Sequence, residues 1–564
     1  MNTPANEGED TPANERERAE GCAGEPAIPP LPGAIVTLAS DGPRRADAEL
    51  PEERDPAVSP EVARGALERW LPWVLLSAYA ALCLTLWLGD QWLSSWDSAV
   101  YLMTGRSLAE GGGYAYQGLP YSLRPPAFSW ILSFFLSDGA FDPATINVFV
   151  MACAAAAVAA VFLVFRKVFG TPIALAAALL SGMSPAFVAN FNRILSEYPF
   201  QLLIFAGFGC MLASEGRRRG WLFWSLCAAV SLGAAMWFRS VAVLVVPGFF
   251  VAGLMRRDRW RWWLGALLPA ALVVVMALPW ISASKAALAQ APSPSEQWLL
   301  YDYGSAMFHV DPGDPASDWV DFEGYVQRIV VNGTELGSEL AWMCTGSRSL
   351  PVRVAVALVL LAGWIVSVCR RATVLDWFAA IYTVLVLTYF TYAQRLVLPL
   401  TPFVPLYLLV ALDQLGRALS PHKTSASKVL SSRATVAVGV LLLALATWRT
   451  LPDSLHPEQQ NGGRLGNRWA DNVSTARWIR EHTPEDAVLL CRRAPELAFL
   501  SGRRAYTYRF PREPGLVARH DVDYVIYDAP PPAEVRSETE SASLKRWTLP
   551  SASRAGGVIV HRVR

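Results

Sequence analysis

Six ionisable side chains stand beside the ends of apolar runs: Asp97, Arg124, Arg193, Glu197, Arg239 and Arg395. A charge in such a place needs a partner or a water-filled cavity. Asp97 lies in the polar, aromatic stretch 91–130, which is punctuated by Gly111-Gly112-Gly113 and Pro125-Pro126 and also carries Tyr101, Tyr114 and Arg124. Carboxylate and arginine together suit one kind of reaction. An acceptor hydroxyl must lose a proton, and a phosphate must leave with its charge stabilised. The planar guanidinium fork matches phosphate oxygens.

Each residue also has a plainer reading. Asp97 precedes Ala99-Val100-Tyr101-Leu102, the opening of a short helix, so it is either a helix cap or an acid/base group. Glu197, just ahead of a span, either offsets a helix dipole or serves the site. Arg239 in MWFRSVAVLVVPG and Arg395 in TYAQRLVLPLTPF either snorkel to headgroups or hold a phosphate.

The elements that must position these groups are membrane spans. Of 564 residues, 53% are hydrophobic and 17% charged. Soluble proteins carry charge on about a quarter of their residues. The apolar excess falls in blocks long enough to cross a bilayer as helices. Eleven spans are expected, near 70–89, 143–165, 171–189, 198–214, 221–237, 240–255, 262–281, 352–369, 374–392, 396–413 and 434–449. The fold class is an all-α polytopic membrane protein of about eleven transmembrane helices with a small C-terminal α/β extracytoplasmic domain. Basic turns at Arg166-Lys167, Arg217–Arg219, Arg256-Arg257, Arg370-Arg371 and Arg417–Arg433 mark the cytoplasmic side. That leaves loops 90–142 and 282–350, the turn at Asn190–Glu197, and everything after about 450 on the outer face. Pro125–Leu136 is too short to span and reads as a re-entrant or interfacial helix. Residues 1–65, rich in Pro, Glu and Arg, read as a disordered cytoplasmic tail. Residues 66–450 form the membrane domain and 451–564 the soluble one.

Within the outer parts, Asp302, Asp311, Asp314, Asp318, Asp321 and Glu323 read as a solvated acidic surface or an acceptor-binding cap. Residues 472–481 have helical spacing, while 487–490 and 522–527 read as buried strands. Asn332-Gly333-Thr334 and Asn472-Val473-Ser474 match the glycosylation acceptor pattern. Cys344 and Cys491, two of eight cysteines, are a candidate disulfide. No Cys/His cluster marks zinc, though a divalent metal shared by acidic residues is left open. Net charge is +1, which gives no bulk case for nucleic acid.

Four pieces in order carry a family resemblance: WDSAVYLMTGRSLAEGGGYAY with RPPAFSWILSFF, NRILSEYPFQLLIFAG, MWFRSVAVLVVPG, and QRLVLPLTPFVPLYLL. Together they resemble the GT-C superfamily of integral-membrane glycosyltransferases, in the branch of protein mannosyltransferases and the lipid A aminoarabinose transferase. The resemblance implies a polyprenyl-phosphate sugar as donor, a glycan, lipid or protein as acceptor, and an acidic catalyst in the first outer loop. Asp97 is the matching position. Many members carry Asp-Glu there, whereas this chain has Asp97-Ser98, which leaves metal use and acceptor class open. Glu197 matches the acidic position of the second outer turn, and Arg124 a basic residue before Pro-Pro. The expected assignment is Asp97 as general base in an inverting transfer. Arg239, Arg395 and Arg124 would hold the donor phosphate, with Glu197, Tyr101 and Tyr114 positioning substrate or sharing a metal. The chief alternative is a lipid or sugar transporter or flippase. Such folds show paired repeats and midplane charges, which this sequence does not display.

Overall fold

In the computed structural model the described residues are 60–87, 92, 95–137, 141–191, 193–215, 220–255, 259–290, 307–310, 317–390, 394–419, 425–455, 464–508, 515–527, 531–551 and 557–564. Residues 1–59 of the expected tail, the arginines at 217–219 and 256–257, and Asp302, Asp311 and Asp314 lie outside them. Beyond its first turn, everything described belongs to one compact unit, Arg64–Arg564.

Helix α1 (Pro60–Trp87) begins inside the segment expected to be tail. It leads to α2 (Trp96–Ala109), the two-residue strands β1 (Ala115–Tyr116) and β2 (Leu119–Pro120), and α3 (Ala127–Phe135). Then come α4 (Pro143–Phe169), α5 (Thr171–Gly182), the short α6 (Pro185–Val188), α7 (Glu197–Glu215) and α8 (Trp221–Phe238). A 3₁₀ turn at Ser240–Leu244 runs into α9 (Val245–Leu254), and α10 is Arg259–Gln290. Next are α11 (Phe322–Thr345), α12 (Leu350–Arg371) and α13 (Val374–Thr388). A second 3₁₀ turn, Gln394–Leu400, precedes α14 (Phe403–Ala418) and α15 (Ser425–Leu455).

Eight of the eleven expected spans lie essentially on one helix each; 171–189 is divided between α5 and α6, and 240–255 and 396–413 begin in the two 3₁₀ turns, so that backbone polar groups are largely satisfied by helix. By length and composition, five described helices can cross a bilayer: α4, α8, residues 262–283 of α10, α12, and residues 433–450 of α15. The Gln394–Leu400 turn and α14, bent by 49°, make a sixth. The remaining expected spans are α7 and four apolar helices of 10–17 residues. The count these criteria support is therefore five or six rather than about eleven. Lipid-facing surface is plain on α12, where exposed Val354, Leu358, Leu361 and Ile365 repeat at helical spacing. The opposite face packs tightly. A Cβ on Gly363 would sit 1.9 Å from the Tyr407 carbonyl oxygen, so α12 and α14 touch backbone to backbone.

Below the site, Phe165, Phe205, Phe208, Phe378 and Phe403 meet edge-on or tilted at centroid distances of 5.3–6.3 Å and lock α4, α7, α13 and α14 together. Helix α3 buries Phe128, Ser129 and Leu132 and exposes Trp130 and Phe134, the two-faced pattern of an interfacial helix.

Among its described residues, the expected loop 282–350 is mostly helical. Helix α10 runs on to Gln290, and α11 occupies 322–345. Within it Asp318, Asp321 and Glu323 are exposed, which fits a solvated acidic surface. Asn332 does not behave as a glycosylation acceptor. It is 2% exposed, and its Nδ2 donates to the carbonyls of Leu387 and Tyr389 at 3.0 and 2.6 Å. Asn472 is likewise buried within a helix. Cys344 and Cys491 are both buried and no disulfide joins them.

The C-terminal part is a mixed sheet flanked by helices. It contains α16 (Arg464–His482), β3 (Val488–Cys491), α17 (Ala494–Ser501), β4 (Arg504–Thr507), α18 (Leu516–Arg519), β5 (Tyr524–Tyr527), α19 (Ala533–Ala542), β6 (Lys545–Leu549) and β7 (Val558–Arg562). Strand order is β4-β3-β5-β7-β6, with β3 parallel to both β4 and β5 and the remaining pairs antiparallel. Ile479, Leu489, Ile526 and Val560 fill the layer between α16 and the sheet. The sheet docks on α2 and the β1–β2 hairpin. The Arg106 guanidinium donates to the Phe499 carbonyl at 2.8 Å and lies 4.1 Å over that ring. Phe499 also meets Trp92 and Phe141 edge-on. Gln117 pairs with Ala505 through both amide atoms at 2.8 Å.

Candidate active site

Two serines cap the N-terminus of α2. Ser95, in extended conformation, accepts from the Ser98 backbone N–H at 3.3 Å, and Ser98 Oγ accepts from the Ser95 N–H at 3.0 Å. The Trp92 indole N–H donates to the same Ser98 hydroxyl at 3.1 Å. This reciprocal box satisfies the helix start. Asp97 is therefore not the cap, and its carboxylate is spent elsewhere.

That carboxylate is gripped from two sides. Arg124 Nη2 meets its Oδ1 and Arg395 Nη1 meets its Oδ2. Asp97 and Arg124 are both buried, while the Arg395 side chain keeps 29% of its surface open. Arg124 comes from the loop after the hairpin, and Tyr114 Oη donates to its carbonyl at 2.9 Å. Tyr114 rests edge-on against Tyr121 and tilts toward Trp280. The hairpin turn needs left-handed backbone at Gln117 (φ 51°) and Gly118 (φ 85°), and glycine meets the second at no steric cost. Arg395 comes from the second 3₁₀ turn, hundreds of residues away in sequence.

A second ion pair lies alongside. Glu197 opens α7, Arg239 closes α8, and Arg239 Nη1 stands 2.5 Å from Glu197 Oε1. Glu197 is 1% exposed, and the Arg239 guanidinium also lies 6.0 Å over the Phe200 ring. Tyr101 links the two pairs. Its ring lies under Arg124 at 5.4 Å, and its hydroxyl shares a hydrogen bond with Ser196 Oγ at 3.0 Å, next to Glu197. Burial pushes the pKa of the Tyr101 and Tyr114 hydroxyls up, so both stay protonated at neutral pH and can donate. Arg193 joins neither pair through its recorded bond, donating instead to Asn190 Oδ1 at 3.3 Å. Among the described residues no group of three His, Cys, Asp or Glu is placed to hold a metal ion.

The structure thus gathers Asp97, Arg124, Arg395 and Tyr101, with Glu197 and Arg239 as a neighbouring pair. Sequence reading missed the Ser95–Ser98 box, whose signature is the spacing Ser-x-x-Ser. It also missed Gln394, which shares a hydrogen bond with Glu339 beside Arg395.

By sequence, the dolichyl-phosphate-mannose-protein mannosyltransferase family matches residues 123–283. No curated protein matches the chain. By structure, the chain is similar to ArnT from Cupriavidus metallidurans in a crystal structure bound to undecaprenyl phosphate, with TM-score 0.56 and 14% identity over 87% of this chain and 98% of that one. It is also similar to the Archaeoglobus fulgidus oligosaccharyltransferase tethered to an acceptor peptide, with TM-score 0.54 and 14% identity over 82% of this chain and 69% of that one. The same archaeal enzyme, AglB, in complex with an inhibitory peptide and a dolichol-phosphate, gives TM-score 0.53 at 13% identity over the same shares. The chain has the GT-C fold. Within this GT-C frame the family match takes in Arg124, Glu197 and Arg239. It leaves out Asp97 on one side and Arg395 on the other, so the carboxylate at the centre and its most open partner are joined to the matched region only by folding.

Proposed function

We propose that the chain is an inverting membrane glycosyltransferase that moves a sugar from a polyprenyl-phosphate donor to an acceptor hydroxyl or amine at the outer face of the cytoplasmic membrane. The observation that carries this reading is the grip of Arg124 and Arg395 on Asp97. With an arginine on each of its oxygens, the carboxylate is not free to take a proton from an acceptor. The donor's phosphodiester offers a guanidinium two oxygens at once while carrying one negative charge, and the departing phosphate, a monoester, gains a second charge for the arginines to hold. Arg395, the more open of the two, is the one an incoming phosphate meets first. Its transfer to phosphate frees one Asp97 oxygen when donor is present.

Asp97 then takes the proton of the acceptor O–H or N–H as the acceptor atom bonds the anomeric carbon from the face opposite the leaving group. The bond between that carbon and the phosphate oxygen breaks, and its electron pair departs on polyprenyl phosphate. Arg395 and Arg124, with Arg239 near, steady the charge. Protonated Tyr114 holds the loop that carries Arg124, Tyr101 ties helix α2, which carries Asp97, to Ser196, and Glu197 orients substrate through Arg239. Such a lipid donor enters sideways from the bilayer, so the soluble C-terminal part need carry no nucleotide-sugar site.

The test is Asp97→Asn in the reconstituted full chain with a polyprenyl-phosphate sugar. Loss of a general base lowers turnover by about 10²–10⁴-fold. Polyprenyl phosphate itself should bind the variant at least as tightly as wild type, because the arginines are released. Wild-type turnover in Asp97→Asn overturns the assignment.

A further inference from the structure

Glu339 sits on the inner face of α11, 6% exposed, far from the acidic surface at the start of that helix. Its Oε1 accepts a hydrogen bond from Gln394 Nε2 at 2.7 Å, and Arg348 Nη2 stands 3.8 Å from its Oε2. Gln394 is the first residue of the 3₁₀ turn, directly before Arg395. Two turns earlier on the same face, Asn332 donates to the Leu387 and Tyr389 carbonyls at the C-terminal end of α13. Helix α11 thus grips both sides of the connection that delivers Arg395, once at the end of α13 and once at Gln394. A carboxylate acceptor makes the second grip the stronger kind of hydrogen bond.

We infer that Glu339 is a positioning residue for Arg395, and that α11 is the strut through which the outer loop sets the affinity for the donor phosphate. The inference rests on the phosphate role proposed for Arg395. Neither Glu339 nor Asn332 touches the reacting atoms. Their effect runs through the guanidinium, whose placement matters because small displacements of a binding group cost disproportionately.

The experiment measures binding of undecaprenyl phosphate to the full-length protein in nanodiscs, together with donor KM and kcat. Glu339→Ala should weaken undecaprenyl phosphate binding by about ten-fold, a change of 1.4 kcal/mol, and raise donor KM more than it lowers kcat. Glu339→Gln keeps an oxygen for Gln394 and should stay within about three-fold of wild type, since a neutral hydrogen bond is roughly half as strong as a charged one. In an Arg395→Ala background, Glu339→Ala should add nothing. A full additional loss in that background means that Glu339 acts elsewhere and overturns the inference, as does wild-type affinity in Glu339→Ala. If Arg395→Ala itself binds normally, the phosphate role fails first and takes the inference with it. If Arg395→Ala is weak while Glu339→Ala is normal, only the inference fails. Should Glu339→Ala not fold, Asn332→Ala, which removes the other grip, takes its place: weaker undecaprenyl phosphate binding that adds nothing in the Arg395→Ala background upholds the inference, and wild-type binding or a full additional loss overturns it.

Discussion

The carboxylate at position 97 has both oxygens in ion pairs, and the serines on either side perform the capping that an aspartate there would ordinarily do. At this scale the clearest contrast is between two arginines. Arg395→Ala should weaken polyprenyl-phosphate binding, whereas Arg536→Ala, on the exposed face of α19, should leave it unchanged when both are measured by titration in nanodiscs. Equal affinities would remove the phosphate role. Glu197→Ala removes the buried carboxylate that pairs with Arg239, and breaking a buried pair costs about 3–5 kcal/mol, so it should lower the thermal midpoint as well as activity. Much of the site was legible because ionisable residues at span ends are rare enough to notice. Asp97, Arg124, Glu197, Arg239 and Arg395 all stood out that way, and the structure draws them into one group of three around Asp97 and one pair. Which carboxylate meets which guanidinium was not legible, since Asp97 and Arg395 are brought together only by tertiary folding. Glu339 went unremarked for a different reason. It follows a run of exposed acids, and composition does not distinguish a buried glutamate from a solvated one.

Among the elements, the helices announced themselves and the connections did not. Eight of the eleven expected spans lie essentially on one helix each because a long apolar run in a bilayer has little other way to satisfy its backbone. Helix α11 was hidden because its buried face mixes Asn332, Leu336, Glu339 and Met343, which blurs apolar periodicity. The same mixture gave a glycosylation motif where a buried asparagine ties down α13. Strands β3 and β5 were visible as buried apolar runs, while β6 (KRWTL), largely open on both faces, carries no such signal. One element-level contact is testable directly. Gly363→Val would drive a side chain into the Tyr407 backbone and push apart α12 and α14. Overpacking of this kind costs about 1–3 kcal/mol or more. Because α14 follows directly on the turn bearing Arg395, thermal unfolding and donor affinity should fall together.

Across the whole molecule, the site and the C-terminal sheet are fastened to each other. Helix α2 carries Asp97 at one end and Arg106 at the other, and Arg106 reaches Phe499. Gln117→Ala removes two partly buried hydrogen bonds at once, worth about 1–3 kcal/mol together. It should speed limited proteolysis between α15 and α16 while leaving the membrane helices intact. Bound polyprenyl phosphate at 100 times its Kd should stabilise the folded chain by about 2.7 kcal/mol, an increment that a scanning calorimeter resolves and that Arg395→Ala should diminish. Gln117 has one more consequence. Strand β4 is the outermost strand on its side of the sheet, and outer strands offer unpaired backbone groups to any stray chain. The amide of Gln117 occupies both the N–H and the carbonyl of Ala505 on that margin. A fragment cut down to residues 464–564 would lose this cover and present a sticky border, so it should self-associate in solution.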